Sequence, residues 1–142
     1  MKEIEWNENL SIGNEVIDEQ HKVLIERLNN LAKAIKHRKG PQQIGETIGF
    51  LIDYTAIHFA SEERHMAAHN YPGLDAQLAQ HAQFKKTVRI IEDDFREEGA
   101  THALAKSLDT LLVNWLIKHI QRADMEFGEF LKSKSVVLDK EI

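Results

Sequence analysis

Four blocks of near-equal length, each with apolar residues at alternating steps of three and four, constrain this chain more than any other feature. Residues 14 to 38 carry Ile17, His21, Leu24, Leu28, Leu31 and Ile35 on one stripe, and residues 41 to 69 carry Ile44, Ile48, Leu51, Thr55, His58, Glu62 and His65. Leu74, Gln77, His81, Phe84, Val88, Ile91 and Phe95 repeat the pattern over 74 to 98, as do Leu104, Leu108, Leu111, Trp115 and His119 over 101 to 131. Such spacing puts each set on one face of an α-helix. The breaks hold turn residues: Gly40-Pro41, Tyr71-Pro72-Gly73, and Gly99 followed by Thr101. Short connections between helices of matched length predict an all-α fold, an antiparallel up-down-up-down four-helix bundle with an N-terminal arm, as one domain over residues 1–142. Gly45 and Gly49 inside the second helix are read as points of close helix approach, and the C-terminal stretch is expected to fray.

Composition then bounds the chemistry. A chain of 142 residues, 42% of them hydrophobic, can bury one sizeable core, and a net charge of -5 argues against nucleic acid or an anionic membrane as partner. No run reaches the roughly 18 apolar residues of a membrane span, and the opening MKEIEWNENL carries acids where a signal peptide is apolar, so a cytoplasmic location is expected. With no Cys, any metal must be held by imidazole, carboxylate, amide or water.

What interrupts the stripes is informative. His21, His58, Glu62, Gln77, His81 and His119 occupy inward positions, where unpaired polar groups would cost kilocalories each. In an up-down bundle His21 is early in the first helix, His58 late in the second, His81 early in the third and His119 late in the fourth, so all four lie near one end. Metal coordination turns that desolvation cost into binding energy. His37, His69 and His102 fall off this level and are read as solvated. Asp124 lies five residues beyond His119, about 140° away on an ideal helix, and periodicity alone leaves it exposed. If both residues bind one centre, a π-bulge or similar i+5 distortion is required between Trp115 and Asp124.

The runs Ser11-Ile12-Gly13, Ile17-Asp18-Glu19-Gln20-His21-Lys22, His58-Phe59 with Glu62-Glu63 and Met66, Tyr71-Pro72, His81 with Phe84, and Trp115-Leu116 with His119-Ile120 and Asp124 resemble bacterial hemerythrins, over nearly the whole chain. The resemblance implies a non-haem di-iron centre: two iron ions, Fe2+ or Fe3+, bridged by Glu62, Asp124 and a solvent-derived oxo or hydroxo group. It further implies that His21 and His58 ligate the iron that binds dioxygen, and that His81 and His119 ligate the other with a third imidazole. Ile17, Leu24, Thr55, Phe59, Trp115 and Leu116, on turns next to these ligands, are the candidates for an apolar wall that excludes water.

The family pattern has a His four residues before His81, where this chain has Gln77. Three outcomes are open: the Gln77 carbonyl oxygen binds weakly, water fills the position, or another imidazole substitutes. His65, seven residues beyond His58, is the candidate substitute, although a part-exposed place near the helix end is the favoured reading for it. The expected function is reversible dioxygen binding for carriage, storage or delivery, altered on one iron by Gln77, by a monomer that serves an oxygen-consuming enzyme or receives electrons from a reductase. The alternative is a di-iron enzyme acting on peroxide, dioxygen or nitric oxide. A ferritin-like carboxylate bundle would need a second Glu-x-x-His pair beside Glu62 and His65, and the chain has none.

Overall fold

Asn14 starts the first helix by accepting a hydrogen bond from the Ile17 N–H at 3.3 Å, and α1 then runs Glu15–Lys36. This is a computed structural model describing residues 4–138. Arg38, at φ 52°, turns the chain out of α1, and Gly40 precedes α2, Pro41–Ala68, which opens with the one residue type whose missing N–H costs nothing there. α3 is Leu74–Glu98 and stops at Gly99, whose φ of 78° favours glycine. The Thr101 hydroxyl caps the Leu104 N–H at 3.0 Å and begins α4, residues 102–133. Each helix end lies within two residues of the bounds read from the sequence.

The helices pack in sequence order, α1 on α2, α2 on α3, α3 on α4, and α1 meets α4 at His21 and Asp124. Their stripes close one core that includes Leu24, Leu28, Leu51, Phe84, Leu112 and Phe127. No strand occurs among the described residues, and no helix among them is long and apolar enough to cross a membrane. The fold is thus the all-α four-helix bundle that the spacing predicts.

α4 is irregular, and this is where periodicity misleads. It comprises α-helical His102–Ser107, a π-helical segment Leu108–Val113, α-helical Asn114–His119, a second π-helical segment Ile120–Asp124, and α-helical Met125–Ser133. The second segment is the predicted widening. The first was not expected, and it corrects one core residue: Leu111 is 46% exposed and Leu112 is buried in its place. The extra residue per turn shifts the inward face onto Leu104, Leu108, Leu112, Leu116, Ile120 and Asp124, successive steps of four that an ideal helix would let drift.

Two other expectations need correction. A Cβ at Gly49 would meet nothing within 4 Å and one at Gly45 only an ordinary contact with Phe95, so neither marks close helix approach. The close approach is at Gly128, where a Cβ would strike the Ile12 backbone carbonyl. The chain after α4 does not fray at once, since Val136 N–H bonds the Leu131 carbonyl at 2.9 Å and Leu138 is buried. The arm is also anchored: Asn29 exchanges two hydrogen bonds with the Ile4 backbone, and Asp18 accepts from the Ile12 N–H and the Ser11 hydroxyl. Leu10 and Ile12 are thereby buried against the end of the bundle that holds His21.

Candidate metal centre

Three helices bring a polar pair, and α1 brings His21 alone, to the same level. His58 and Glu62 are one turn apart on α2, as are Gln77 and His81 on α3, so both members of each pair face inward. On α4 the π-helical turn Ile120–Asp124 brings Asp124 onto the side of His119, and Asp124 is fully buried. His21, His58, Glu62, Gln77, His81, His119 and Asp124 are all buried. His65 is half-buried; His37 and His102 are exposed, and His69 is a half-buried residue at the end of α2.

Six of these side chains form two groups that share their carboxylates. His21, His58, Glu62 and Asp124 make one and Glu62, His81, His119 and Asp124 the other, with one donor atom of each residue within 4.8 Å of the rest. His21 Nε2 lies 3.0 Å from Asp124 Oδ2, His58 Nε2 2.9 Å from Glu62 Oε1, and His119 Nε2 3.2 Å from Asp124 Oδ1. His81 Nε2 stands 3.6 Å from Glu62 Oε1. Yet Nε2 of His21, His81 and His119, both oxygens of Glu62 and Oδ2 of Asp124 are buried with no hydrogen-bond partner among the described residues. So many buried nitrogen and oxygen atoms, close to one another but without hydrogen-bond geometry, fit a cation, or two, that shares them. Gln77 joins the second group: its Nε2 donates to Asp124 Oδ1 at 3.1 Å, and its Oε1 is buried without a partner. His65 belongs to neither group.

The charges agree with that use. Burial holds His58 down to about 4 and His81 down to about 3, so both rings are neutral and ready to ligate. Burial also opposes charge on His119, but the Asp124 carboxylate outweighs it and raises the imidazole. Asp124 is in turn held well below its ordinary value, because His119 and His21 overcome its desolvation. Glu62 goes the other way, raised by burial and by Asp124 beside it. Two carboxylates at one buried site repel unless a cation lies between them.

Outer partners set which ring nitrogen faces the centre. Gln20 Oε1 is 2.8 Å from His58 Nδ1, Gln80 Oε1 is 2.7 Å from His119 Nδ1, and Glu63 Oε2 is 2.8 Å from His81 Nδ1. Each leaves Nε2 free for a metal. Sequence reasoning missed all three as functional residues. They sit beside the inward stripe, and only the helix rotations bring them to the rings. Among the wall candidates Ile17, Leu24, Thr55, Phe59 and Leu116 are buried and Trp115 half-buried. Phe59 stacks on His81 at 3.9 Å and Trp115 on His119 at 4.5 Å, so these two aromatics cover the second group.

The comparisons agree with this architecture. The family model described as Hemerythrin HHE cation binding domain matches residues 12–131. A bacteriohemerythrin of Stenotrophomonas maltophilia is 36% identical over 90% of this chain and 81% of its own length. One from Pseudomonas aeruginosa is 32% identical over 99% of this chain and 90% of its own. A crystal structure of a hemerythrin mutant superimposes with a TM-score of 0.80 at 24% identity, covering 91% of this chain and 97% of that one, and so shares the fold. With the family pattern matched from the arm to the last helix around a core of converging histidines and carboxylates, the chain belongs to the hemerythrin family.

Proposed function

We propose that this chain binds dioxygen reversibly at a pair of iron ions inside the bundle. The observation that supports it is the sharing of Glu62 and Asp124 by two groups of buried histidines, the pattern two adjacent cations need. In this reading Glu62 and Asp124 would be shared by the two irons, His21 and His58 would hold the first, and His81, His119 and the oxygen of Gln77 would hold the second. Imidazole with carboxylate suits iron, and the bacteriohemerythrin relatives support that choice over zinc or manganese. A ferrous pair supplies the redox electrons that reversible capture of dioxygen requires and that these side chains lack.

The chain's own residues do the rest. Gln20, Glu63 and Gln80 hold the Nδ1 positions of three ligand rings, so Nε2 of each points inward without rearrangement. Ile17, Leu24, Phe59 and Leu116 keep water and protons from the centre, which slows loss of electrons to solvent-borne oxidants. Gln77 favours a second reading, an enzyme acting on peroxide, dioxygen or nitric oxide, because an amide oxygen is a weaker donor than imidazole and leaves a position that exchanges.

Anaerobic iron analysis of the native chain and of Glu62→Ala tests the proposal. Two irons per native chain, and loss of the pair in the variant, are expected. A variant that keeps two irons contradicts the bridging role. Oxygen release from added peroxide, with turnover, would favour the enzymatic reading.

A further inference from the structure

One stretch of this acidic chain has the opposite sign, and the metal centre does not use it. Residues 27–45 hold Arg27, Lys33, Lys36, Arg38 and Lys39, with His37 and no Asp or Glu, which leaves 13 Lys and Arg against 23 Asp and Glu in the rest of the chain. The stretch lies at the far end of the bundle from the centre, Lys36 standing roughly 20 Å along α1 from His21. Part of it is ordinary helix chemistry, since Lys33 and Lys36 in the last turn complement the carbonyl end of α1. Arg27 and Lys39 are not explained that way. Arg27 lies more than two turns earlier, and Lys39 lies past the helix beside the start of α2, where a cation is disfavoured. Neither side chain forms an ion pair among the described residues.

These charges surround one cavity. An open pocket of about 340 Å³ between α1 and α2 is lined by Arg27, Lys33, His37 and Lys39, with the amides of Asn30 and Gln43 and with no carboxylate. Phe50, 54% exposed, supplies an apolar wall, and the Arg27 guanidinium stands over its ring at 5.4 Å from the centroid. Glu46, the first carboxylate after the basic stretch, lines an adjoining hollow and accepts from Gln42 Nε2 at 3.3 Å. Guanidinium and ammonium groups gathered around one opening repel one another until an anion sits among them, and they match phosphate oxygens in charge and geometry. An exposed aromatic ring beside them offers a face to a planar base, and amides offer both donors and acceptors to its edge. The volume is that of a small-molecule site. We infer that this cavity binds a nucleoside monophosphate, its phosphate held by Arg27, Lys33 and Lys39 and its base packed on Phe50. The site is separate from the metal centre and does not depend on iron.

Calorimetric titration of the full chain, at about 0.1 M salt, with adenosine monophosphate, inorganic phosphate and adenosine tests this. The monophosphate should bind once per chain, inorganic phosphate about tenfold more weakly, and adenosine without saturation. Arg27→Gln and Lys39→Gln should each weaken the monophosphate about tenfold, whereas Lys39→Arg, which keeps the charge, should bind as the native chain does. Phe50→Ala should lower the affinity for the monophosphate to that for inorganic phosphate and leave inorganic phosphate unchanged. Iron-loaded and iron-free chains should titrate alike. No saturable binding of the monophosphate, or binding that Arg27→Gln and Lys39→Gln leave unchanged, would overturn the site. Equal affinities for inorganic phosphate and the monophosphate, unaffected by Phe50→Ala, would overturn the assignment of a nucleoside.

Discussion

The Gln77 carboxamide is wedged against Asp124, its nitrogen 3.1 Å from Oδ1 while its own oxygen is buried and unpartnered. Oδ1 is the same atom that faces His119 at 3.2 Å. An amide set this way can give its oxygen to a cation and keep its N–H on the carboxylate of that cation. Gln77→Leu removes both contacts and should release one iron about 10–100-fold more readily, while Gln77→His should slow release below the native rate. Anaerobic chelator competition measures both.

Phe59 is the most connected aromatic of the site, stacked on His81 and in edge contact with Phe84 and Trp115. Phe59→Ala should cost about 3–5 kcal/mol in urea unfolding of the metal-free chain, since the ring is fully buried. The same cavity lets water reach the His81 face, so the iron-loaded variant should oxidise faster in air, followed by loss of its ferrous form.

Acid should unfold the metal-free protein in a defined window. His58 and His81, lowered from 6.5 to about 4 and about 3, take up protons more readily when unfolded, so stability falls as pH drops below 6.5. For His58 alone the loss amounts to about 3 kcal/mol. Glu62, raised, contributes in the opposite sense, but its effect is complete once pH is below the ordinary carboxyl value of 4.5. Asp124, lowered, adds a further loss below 3.8. Urea midpoints should therefore decline steeply below about pH 4.5; a flat profile there would contradict the buried neutral imidazoles.

Two glycine substitutions should act with opposite sign. Gly128→Ala drives a methyl into the Ile12 carbonyl and must displace the arm, costing about 1–3 kcal/mol. Gly49→Ala meets empty space on a helix and should stabilise by about 1 kcal/mol. Thermal unfolding of the two variants checks both.

Much of this was legible in the sequence because one period governs three of the helices. Ile17, Leu24, Leu51, Phe84 and Val88 are buried where steps of three and four put them, and the same steps brought His21, His58, Glu62, Gln77 and His81 to one level. The period failed on α4, where Leu104, Leu108, Leu112, Leu116, Ile120 and Asp124 follow steps of four that only π-helical turns can hold on one face. Read as an ideal helix, that run exposes Asp124 and buries Leu111, the reverse of what is found. Glu63, Gln20 and Gln80 were illegible for another reason: residues at the edge of a stripe meet a neighbouring ring only through helix rotation, which spacing along one helix does not determine. The arm's attachment through Asp18 and Gly128 likewise depends on contacts between distant parts of the chain.

The central claim is most directly tested by visible absorption of the anaerobically prepared, two-iron protein through repeated cycles of oxygen admission and removal. The account predicts a band that rises with oxygen, vanishes when oxygen is withdrawn, and returns at full amplitude in the next cycle. Irreversible oxidation on the first exposure, with no band that oxygen removal abolishes, would contradict it.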